Sequence, residues 1–174
     1  MPQQSVLYAP AGGYEGQPAS HSLQEIRGAL QELNVAVGSP IIYPGRACIF
    51  GANPGDIILP SATGGVFAGI AVLNDQWGET ESDLEAGLPP GYKPGYPIGL
   101  ATFGDWWVYS EVAVNINDPV YFRYTAAAAP NNVIGRYSNV AGTGFDPVPK
   151  ARFLDKSAGA GIVRINLGGL SLGF

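Results

Sequence analysis

Gly161-Ile-Val-Arg-Ile-Asn-Leu167 closes the C-terminal third of the chain, and this third decides the fold. Three similar runs precede it: Val112-Ala-Val-Asn-Ile-Asn-Asp-Pro-Val-Tyr-Phe-Arg-Tyr124, Val133-Ile-Gly-Arg-Tyr137 and Lys150-Ala-Arg-Phe-Leu-Asp155. All four runs are short and rich in residues that favour β-strands, and Gly, Pro, Asn and Asp separate them. None of them carries a cluster of reactive side chains, so the pattern indicates a compact β body built for assembly rather than catalysis.

Further β-rich runs extend this pattern toward the N-terminus. The sequence predicts strands near residues 46–50, 56–59, 65–73, 98–102, 105–114, 119–125, 133–138, 150–154 and 161–167. Turn signals such as Asn53-Pro-Gly-Asp56 lie between them, because Pro sets φ and Gly tolerates positive φ. Closely spaced strands without intervening helices predict a mainly β fold, an antiparallel β-sandwich or barrel-like body.

The N-terminal region has a different pattern. Residues 1–20 are small and polar, so they predict an extended arm. Apolar residues then recur at spacings of three and four, and Ser22 with Glu25 fits a capping box; together they predict a short amphipathic helix over residues 22–33. We therefore divide the chain into an arm with a helix, residues 1–34, and a β body, residues 35–174.

A long irregular loop, residues 74–97, interrupts the β body. Its first half is acidic and its second half is rich in Pro, Gly and Tyr. Loops of this length inside a compact body are uncommon and are often functional. The acidic spacing does not fit a twelve-residue calcium loop, because Thr80 occupies the position that requires glycine.

Composition narrows the classes of partner. Charged residues make up only 13% of the chain, against about 25% in an average protein. The net charge of −5 argues against nucleic acid as a partner, since binding to phosphates depends on cationic side chains. No run of 18 apolar residues suggests a membrane span, and no secretory signal is visible.

The sequence predicts no catalytic residue, no cofactor and no metal site. Cys48 lies in an apolar run and His21 has no second ligand, so neither suggests a reactive centre. Motifs for phosphate binding, for zinc hydrolysis and for a nucleophile elbow are absent from the sequence.

Aromatic and apolar side chains are the candidates for an interface with another chain. Trp106 and Trp107 are neighbours on a predicted strand and must point to opposite faces, so one enters the core and the other lies under the long loop 74–97 or in a subunit contact. The predicted interface side chains are Tyr8, Tyr14, Leu23, Ile26, Leu30, Leu33, Trp77, Tyr92, Tyr96, Trp106 and Trp107.

The order of several motifs resembles the structural cement (capsid decoration) proteins of tailed bacteriophages. The resemblance covers residues 38–167 and rests on motifs that occur together in one order: Pro44-Gly-Arg-Ala-Cys-Ile-Phe-Gly51, Asn53-Pro-Gly-Asp56 with Ile58-Leu-Pro60, Val66-Phe-Ala-Gly-Ile-Ala71, Trp106-Trp-Val-Tyr-Ser-Glu-Val112 with Asp118-Pro-Val-Tyr121, and Ile134-Gly-Arg-Tyr137 with Ala151-Arg-Phe153 and Gly161-Ile-Val-Arg-Ile165. The N-terminal arm and the loop 74–97 depart from the shorter family members.

This resemblance implies a virion protein that binds the exterior of an icosahedral phage head and bridges major capsid subunits. It also implies a homodimer or homotrimer on the capsid lattice, made in the bacterial host cytoplasm. The residues themselves leave one alternative open, a carbohydrate-binding β-sandwich in which Trp77, Tyr92, Tyr96 and a tryptophan of the 106–107 pair stack on sugars.

Overall fold

The computed structural model describes residues 13–19, 25–27, 33–73, 91–126 and 133–168. Ten strands occur in these ranges: β1 (Glu25–Arg27), β2 (Asn34–Val35), β3 (Ala47–Phe50), β4 (Asp56–Ile58), β5 (Phe67–Ala71), β6 (Leu100–Ser110), β7 (Pro119–Arg123), β8 (Tyr137–Ser138), β9 (Phe145–Phe153) and β10 (Gly161–Leu167). The predicted mainly β fold is confirmed.

Five of the strands close into a barrel. β6 pairs with β10, β10 with β9, β9 with β7 and β7 with β8, and β8 returns to β6 through the single pair Ser110↔Tyr137. Closure leaves each of these strands with a neighbour on both sides, which removes exposed sheet edges. The barrel encloses a core that includes Trp106, Phe122 and Phe153.

A second sheet extends from the start of β6. Ala101 and Leu100 pair with β5, which leads on to β3, β4 and β2. Side chains of this sheet form a separate buried apolar cluster, which includes Val35, Cys48 and Ile57. The two parallel pairings in the described residues, β6–β8 and β2–β4, depart from the purely antiparallel arrangement that the sequence predicts.

The strand β6 joins the two sheets, and Gly104 lies at the point where it changes from one to the other. Residues before Gly104 pair with β1 and β5, whereas Gly104–Ser110 pair with β10. Gly104 has a φ of 95°, a value that side-chain-bearing residues rarely adopt. The sequence predicts separate strands at 98–102 and 105–114, but the structure has one continuous strand with a glycine bend.

The predicted helix is wrong in its described part. Glu25–Arg27 form β1, which pairs antiparallel with β6 between Leu100 and Phe103. An isolated helix of about twelve residues is marginal in water, so the backbone partners that β6 offers outweigh the helical pattern. Residues 22–24 and 28–32 lie outside the described residues. Leu33 is buried in the core of the second sheet and belongs to the body.

Candidate functional site

Three of the predicted interface residues lie entirely within the chain's own cores. Leu33, Tyr92 and Trp106 are buried, so they offer no surface to a partner. The hydroxyl of Tyr92 donates a hydrogen bond of 2.7 Å to the carbonyl of Val72, and the indole nitrogen of Trp106 donates one of 2.8 Å to the carbonyl of Phe103. Burial raises the pKa of Tyr92. These polar groups therefore have internal partners, as buried Tyr and Trp require.

The two tryptophans lie on opposite faces of β6, as the sequence predicts, but Trp107 is contacted by the N-terminal segment, which the sequence does not predict. Trp106 is fully buried, while Trp107 on the opposite face of β6 is half-buried. Gly13 lies against the Trp107 indole so closely that a Cβ at position 13 would overlap the ring. The guanidinium of Arg164 lies 5.7 Å from the centre of the same ring. Trp107 is thus covered by the N-terminal segment of its own chain.

Two of the predicted residues are available to a partner. The side chain of Tyr14 is 73% exposed and that of Tyr96 is 42% exposed. Ile26 lies in β1, where its backbone pairs with Ala101. Tyr8, Leu23, Leu30 and Trp77 lie outside the described residues.

The described part of the N-terminal arm, residues 13–19, is docked on the body. The amide of Gly16 donates to the carbonyl of Trp107 (2.8 Å), and the amide of Trp107 donates to the carbonyl of Gln17 (3.0 Å). The amide of Leu73 donates to the carbonyl of Gly16 (2.8 Å), which ties the arm to the end of β5 as well. The arm therefore pairs with β6 as an additional segment of its sheet.

The structure adds the exposed Val37, which the sequence analysis missed, to the predicted Tyr96, and we call these two residues on paired segments the β2 patch. Val37 is 92% exposed and follows β2. The segment of Tyr96 pairs with this strand, because the amide of Val35 donates to the carbonyl of Tyr96 at 2.9 Å. No periodic signal marks Val37, which stands next to a turn glycine. Its position at the surface could have been predicted only if residues 34–35 had been recognised as a strand.

A second missed patch, the turn patch, consists of Ile116 and Val140, which are 61% and 58% exposed. The side-chain amide of Asn139 donates a hydrogen bond to the carboxylate of Asp118 (2.5 Å), and the backbone amide of Asn115 donates one to the same carboxylate (2.8 Å). These hydrogen bonds join the two segments that carry the patch, so its apolar side chains are presented on a tied turn. They also lower the pKa of Asp118, with the Asn139 bond as the main cause.

Two arginine–carboxylate ion pairs with short contacts occur among the described residues. The buried Arg123 and Glu111 form a two-pronged ion pair with a shortest distance of 2.6 Å, and Arg164 and Asp155 form a similar pair nearer the surface. No group of three or more His, Cys, Asp or Glu residues in the described ranges could hold a metal ion. Cys48 is buried and unpaired, as the sequence predicts.

In the part of the chain that the structure describes, no helix has the length and hydrophobicity needed to cross a membrane.

The alternative of a carbohydrate-binding module receives no support from this arrangement. Tyr92 and Trp106 are inaccessible to a sugar, and Trp107 is covered by Gly13. Among the described members of the proposed set, Tyr96 is the exposed aromatic ring, and Trp77 lies outside the described residues.

Comparison with known proteins identifies the family. The model of the family described as structural cement protein (E217 gp24/Pam3 gp6) matches residues 2–168. No curated protein sequence matches the chain. Among solved structures, a chain from the capsid of Myoviridae phage XM1 has the same fold with a TM-score of 0.66 and 21% sequence identity, over 95% of this chain and 96% of that one. The match to the family model spans nearly the whole sequence and both sheets, and the chain accordingly belongs to the structural cement protein family.

Proposed function

We propose that this cement protein binds the exterior of an icosahedral phage head and bridges neighbouring major capsid subunits. The family match over residues 2–168 is the observation that carries the proposal. A cement protein is a structural component of the virion, and its role does not require a catalytic centre. We further propose that copies associate on the lattice as homodimers or homotrimers after synthesis in the host cytoplasm.

The two exposed apolar patches support a bridging geometry. The β2 patch lies at the end of the second sheet, whereas the turn patch is carried by segments that flank the barrel strands β7 and β8. Because β6 runs through both sheets, the patches are held on one framework and can each meet a different subunit. Many such shallow contacts, repeated by capsid symmetry, add up to strong attachment.

The experiment measures binding and reinforcement separately. Expanded heads that lack the protein are mixed with purified variants, occupancy is measured by sedimentation, and head rupture is followed by heating. Val37→Asp with Tyr96→Ala removes the β2 patch, and Ile116→Asp with Val140→Asp removes the turn patch. Ser61→Ala, at an exposed position away from both patches, is the matched control.

We expect each patch variant to lower occupancy, to lower the rupture temperature at equal occupancy, or both. A variant that saturates the heads without raising their rupture temperature has lost one side of the bridge. If both patch variants fill the heads and raise the rupture temperature as the Ser61→Ala control does, the bridging role of these surfaces is wrong.

We also propose that the first residues of the arm contact a neighbouring subunit. A deletion of residues 1–34 would not test this cleanly, because Leu33 is buried in the second core and β1 pairs with β6. Deletion of residues 1–12 leaves every described contact in place and removes Tyr8. We expect it to weaken binding to heads without lowering the melting temperature of the free protein; unchanged binding would remove the arm from the interface.

A further inference from the structure

Two arginines, a tyrosine and a glutamate meet where the arm crosses the body, and their polar atoms are poorly matched. We propose that Arg46, Arg136 and Tyr137 form a binding site for one small oxyanion, which lies beside the contact between the arm and the body. This site is separate from the proposed capsid contacts and does not depend on them.

The first observation is a concentration of buried donors without partners. Four buried polar atoms of this cluster make no hydrogen bond within the described chain: Arg46 Nε, Arg46 Nη1, Arg136 Nε and Tyr137 Oη. Arg46 is only 8% exposed, and Tyr137 is fully buried. Buried polar groups in native proteins almost always have a partner, so this cluster calls for one from outside the chain, either ordered water or a bound ion.

The second observation is that these groups share one small volume. The amide of Ala47 donates to the carbonyl of Gly135 at 2.9 Å, which places the segments carrying Arg46 and Arg136 side by side. Burial lowers the pKa of Arg46, and the nearby charge of Arg136 lowers it further, while Glu15 opposes both effects. Burial raises the pKa of Tyr137, and the charges of Arg46 and Glu15 act on the same phenol in opposite directions.

The third observation is that Glu15 does not satisfy the arginines. Its carboxylate lies 3.7 Å from Arg46 Nη1 and 4.0 Å from Arg136 Nη2, and both distances are too long for hydrogen bonds. The arm cannot simply move closer, because Gly16 and Gly45 already touch: a Cβ on Gly16 would lie 2.6 Å from the amide nitrogen of Gly45. The carboxylate is therefore held near the arginines but short of contact.

Charge balance gives the sign of the missing partner. Glu111 forms a bidentate pair with Arg123, and its charge has the smallest of the effects on the pKa of Arg46. Among the described residues, Arg46 and Arg136 carry two positive charges, and Glu15 is the acidic residue that lies within 4.0 Å of both. Guanidinium groups bind planar or tetrahedral oxyanions through paired N–H donors, and the phenol can add a further hydrogen bond.

Limited access favours a free ion over a side chain of another protein. The side chains of Arg46, Arg136 and Glu15 are exposed by 10%, 21% and 21%. A partner's carboxylate would have to bring its own chain against this partly buried cluster, whereas a free ion brings none.

The test uses inorganic phosphate and the full-length protein in a chloride-free buffer at constant ionic strength. We expect phosphate to raise the melting temperature along a saturable curve and to shift the Nε–H signals of Arg46 and Arg136 in NMR spectra. Arg136→Gln should abolish both effects. Arg152→Gln is the matched control, since Arg152 is exposed on β9 and lies outside the cluster; it should respond as the unmodified protein does.

Glu15→Gln provides a second, independent variant. Removal of the competing negative charge should tighten phosphate binding roughly tenfold, as expected for one partly screened charge interaction. Absence of a saturable response in the unmodified protein, an undiminished response in Arg136→Gln, a lost response in Arg152→Gln or no gain in Glu15→Gln would each overturn the proposal. None of these results would bear on head binding.

Discussion

At the residue scale, two arginine–carboxylate pairs with the same short contact differ in what surrounds them. Arg123 and Glu111 approach to 2.6 Å with side chains exposed by 9% and 0%, and the guanidinium also lies 4.3 Å from the centre of the Phe145 ring. Arg164 and Asp155 approach to 2.6 Å as well, but their side chains are exposed by 41% and 23%. Water screens the second pair and not the first, so their contributions to stability differ.

The first prediction compares these pairs. We expect Glu111→Gln to lower the free energy of unfolding by about 3–5 kcal/mol, because it leaves the Arg123 charge buried without a counter-charge. Asp155→Asn, the surface control, should cost no more than about 1 kcal/mol. Urea unfolding of both variants measures the difference, and similar small losses in the two would show that the buried pair is not held as described.

The second prediction concerns the acid stability conferred by Asp118. Its hydrogen bonds from Asn139 and Asn115 are made to the ionised form, so its pKa is lower in the folded chain than in the unfolded chain. The resulting stabilisation is present above the unfolded pKa of about 4 and is lost as the pH falls through the folded pKa. We expect Asn139→Ala to raise the pKa of Asp118 in an NMR titration and to move acid unfolding to a higher pH. Ser61→Ala should change neither, and an unchanged Asp118 titration in Asn139→Ala would contradict the assignment.

At the scale of the element, β6 shows how one strand serves two sheets. Its eleven residues pair with β1 and β5 at one end and with β10 at the other. A straight strand would continue a single sheet, whereas the positive φ of Gly104 turns the chain between the two pairings. The sequence predicts two strands with a break at residues 103–104. The strand does change direction there, but its backbone hydrogen bonding continues across the bend.

The third prediction tests this bend. Gly104→Ala forces a side chain into a positive-φ conformation and should lower the free energy of unfolding by about 1–2 kcal/mol. Gly159→Ala is the matched control, because a Cβ at position 159 meets no atom within 4 Å and the residue does not have positive φ; it should be neutral or slightly stabilising. Equal effects of the two substitutions in thermal unfolding would argue against a conformational requirement at Gly104.

At the scale of the whole molecule, two apolar cores share one framework. The barrel core contains Trp106, and the core of the second sheet contains Cys48. β6 contributes side chains to both, and Asp146 on β9 accepts hydrogen bonds from the amide of Gly64 (2.7 Å) and the hydroxyl of Thr63 (3.0 Å). Such links between sequence-distant segments favour a single cooperative unfolding transition.

The fourth prediction uses the two cores as independent probes. Burial raises the pKa of Cys48, so its thiol should resist a disulfide reagent until the second sheet opens. Fluorescence of a Trp77→Phe variant reports on the 106–107 pair of the barrel. We expect both signals to change at the same denaturant concentration. Thiol labelling at a clearly lower concentration than the fluorescence change would show that the second sheet unfolds as a separate unit.

The sequence alone determined the fold class and most of the strands. Run 161–167 is predicted with the bounds of β10, and the opposite burial of Trp106 and Trp107 follows from the two-residue period of a strand. The family resemblance, drawn from ordered motifs, agrees with the family match over residues 2–168. These features are local, since alternation, turn residues and motif order depend on near neighbours in the chain.

Tertiary structure decided the rest, because it depends on partners distant in sequence. The helical spacing over residues 22–33 gave way at Glu25–Arg27 to pairing with β6, which lies more than seventy residues away. The sequence did not predict the first half of β9, because it contains Pro147 and Pro149, which have low strand propensity. Pairing with β7 overrides that propensity. Packing between remote segments also decides which side chains are exposed, buried or brought together. It exposes Val37 and Ile116, buries Tyr92 and brings Arg46 close to Arg136. The hydrophobic pattern of a segment does not indicate which remote segment it will pack against.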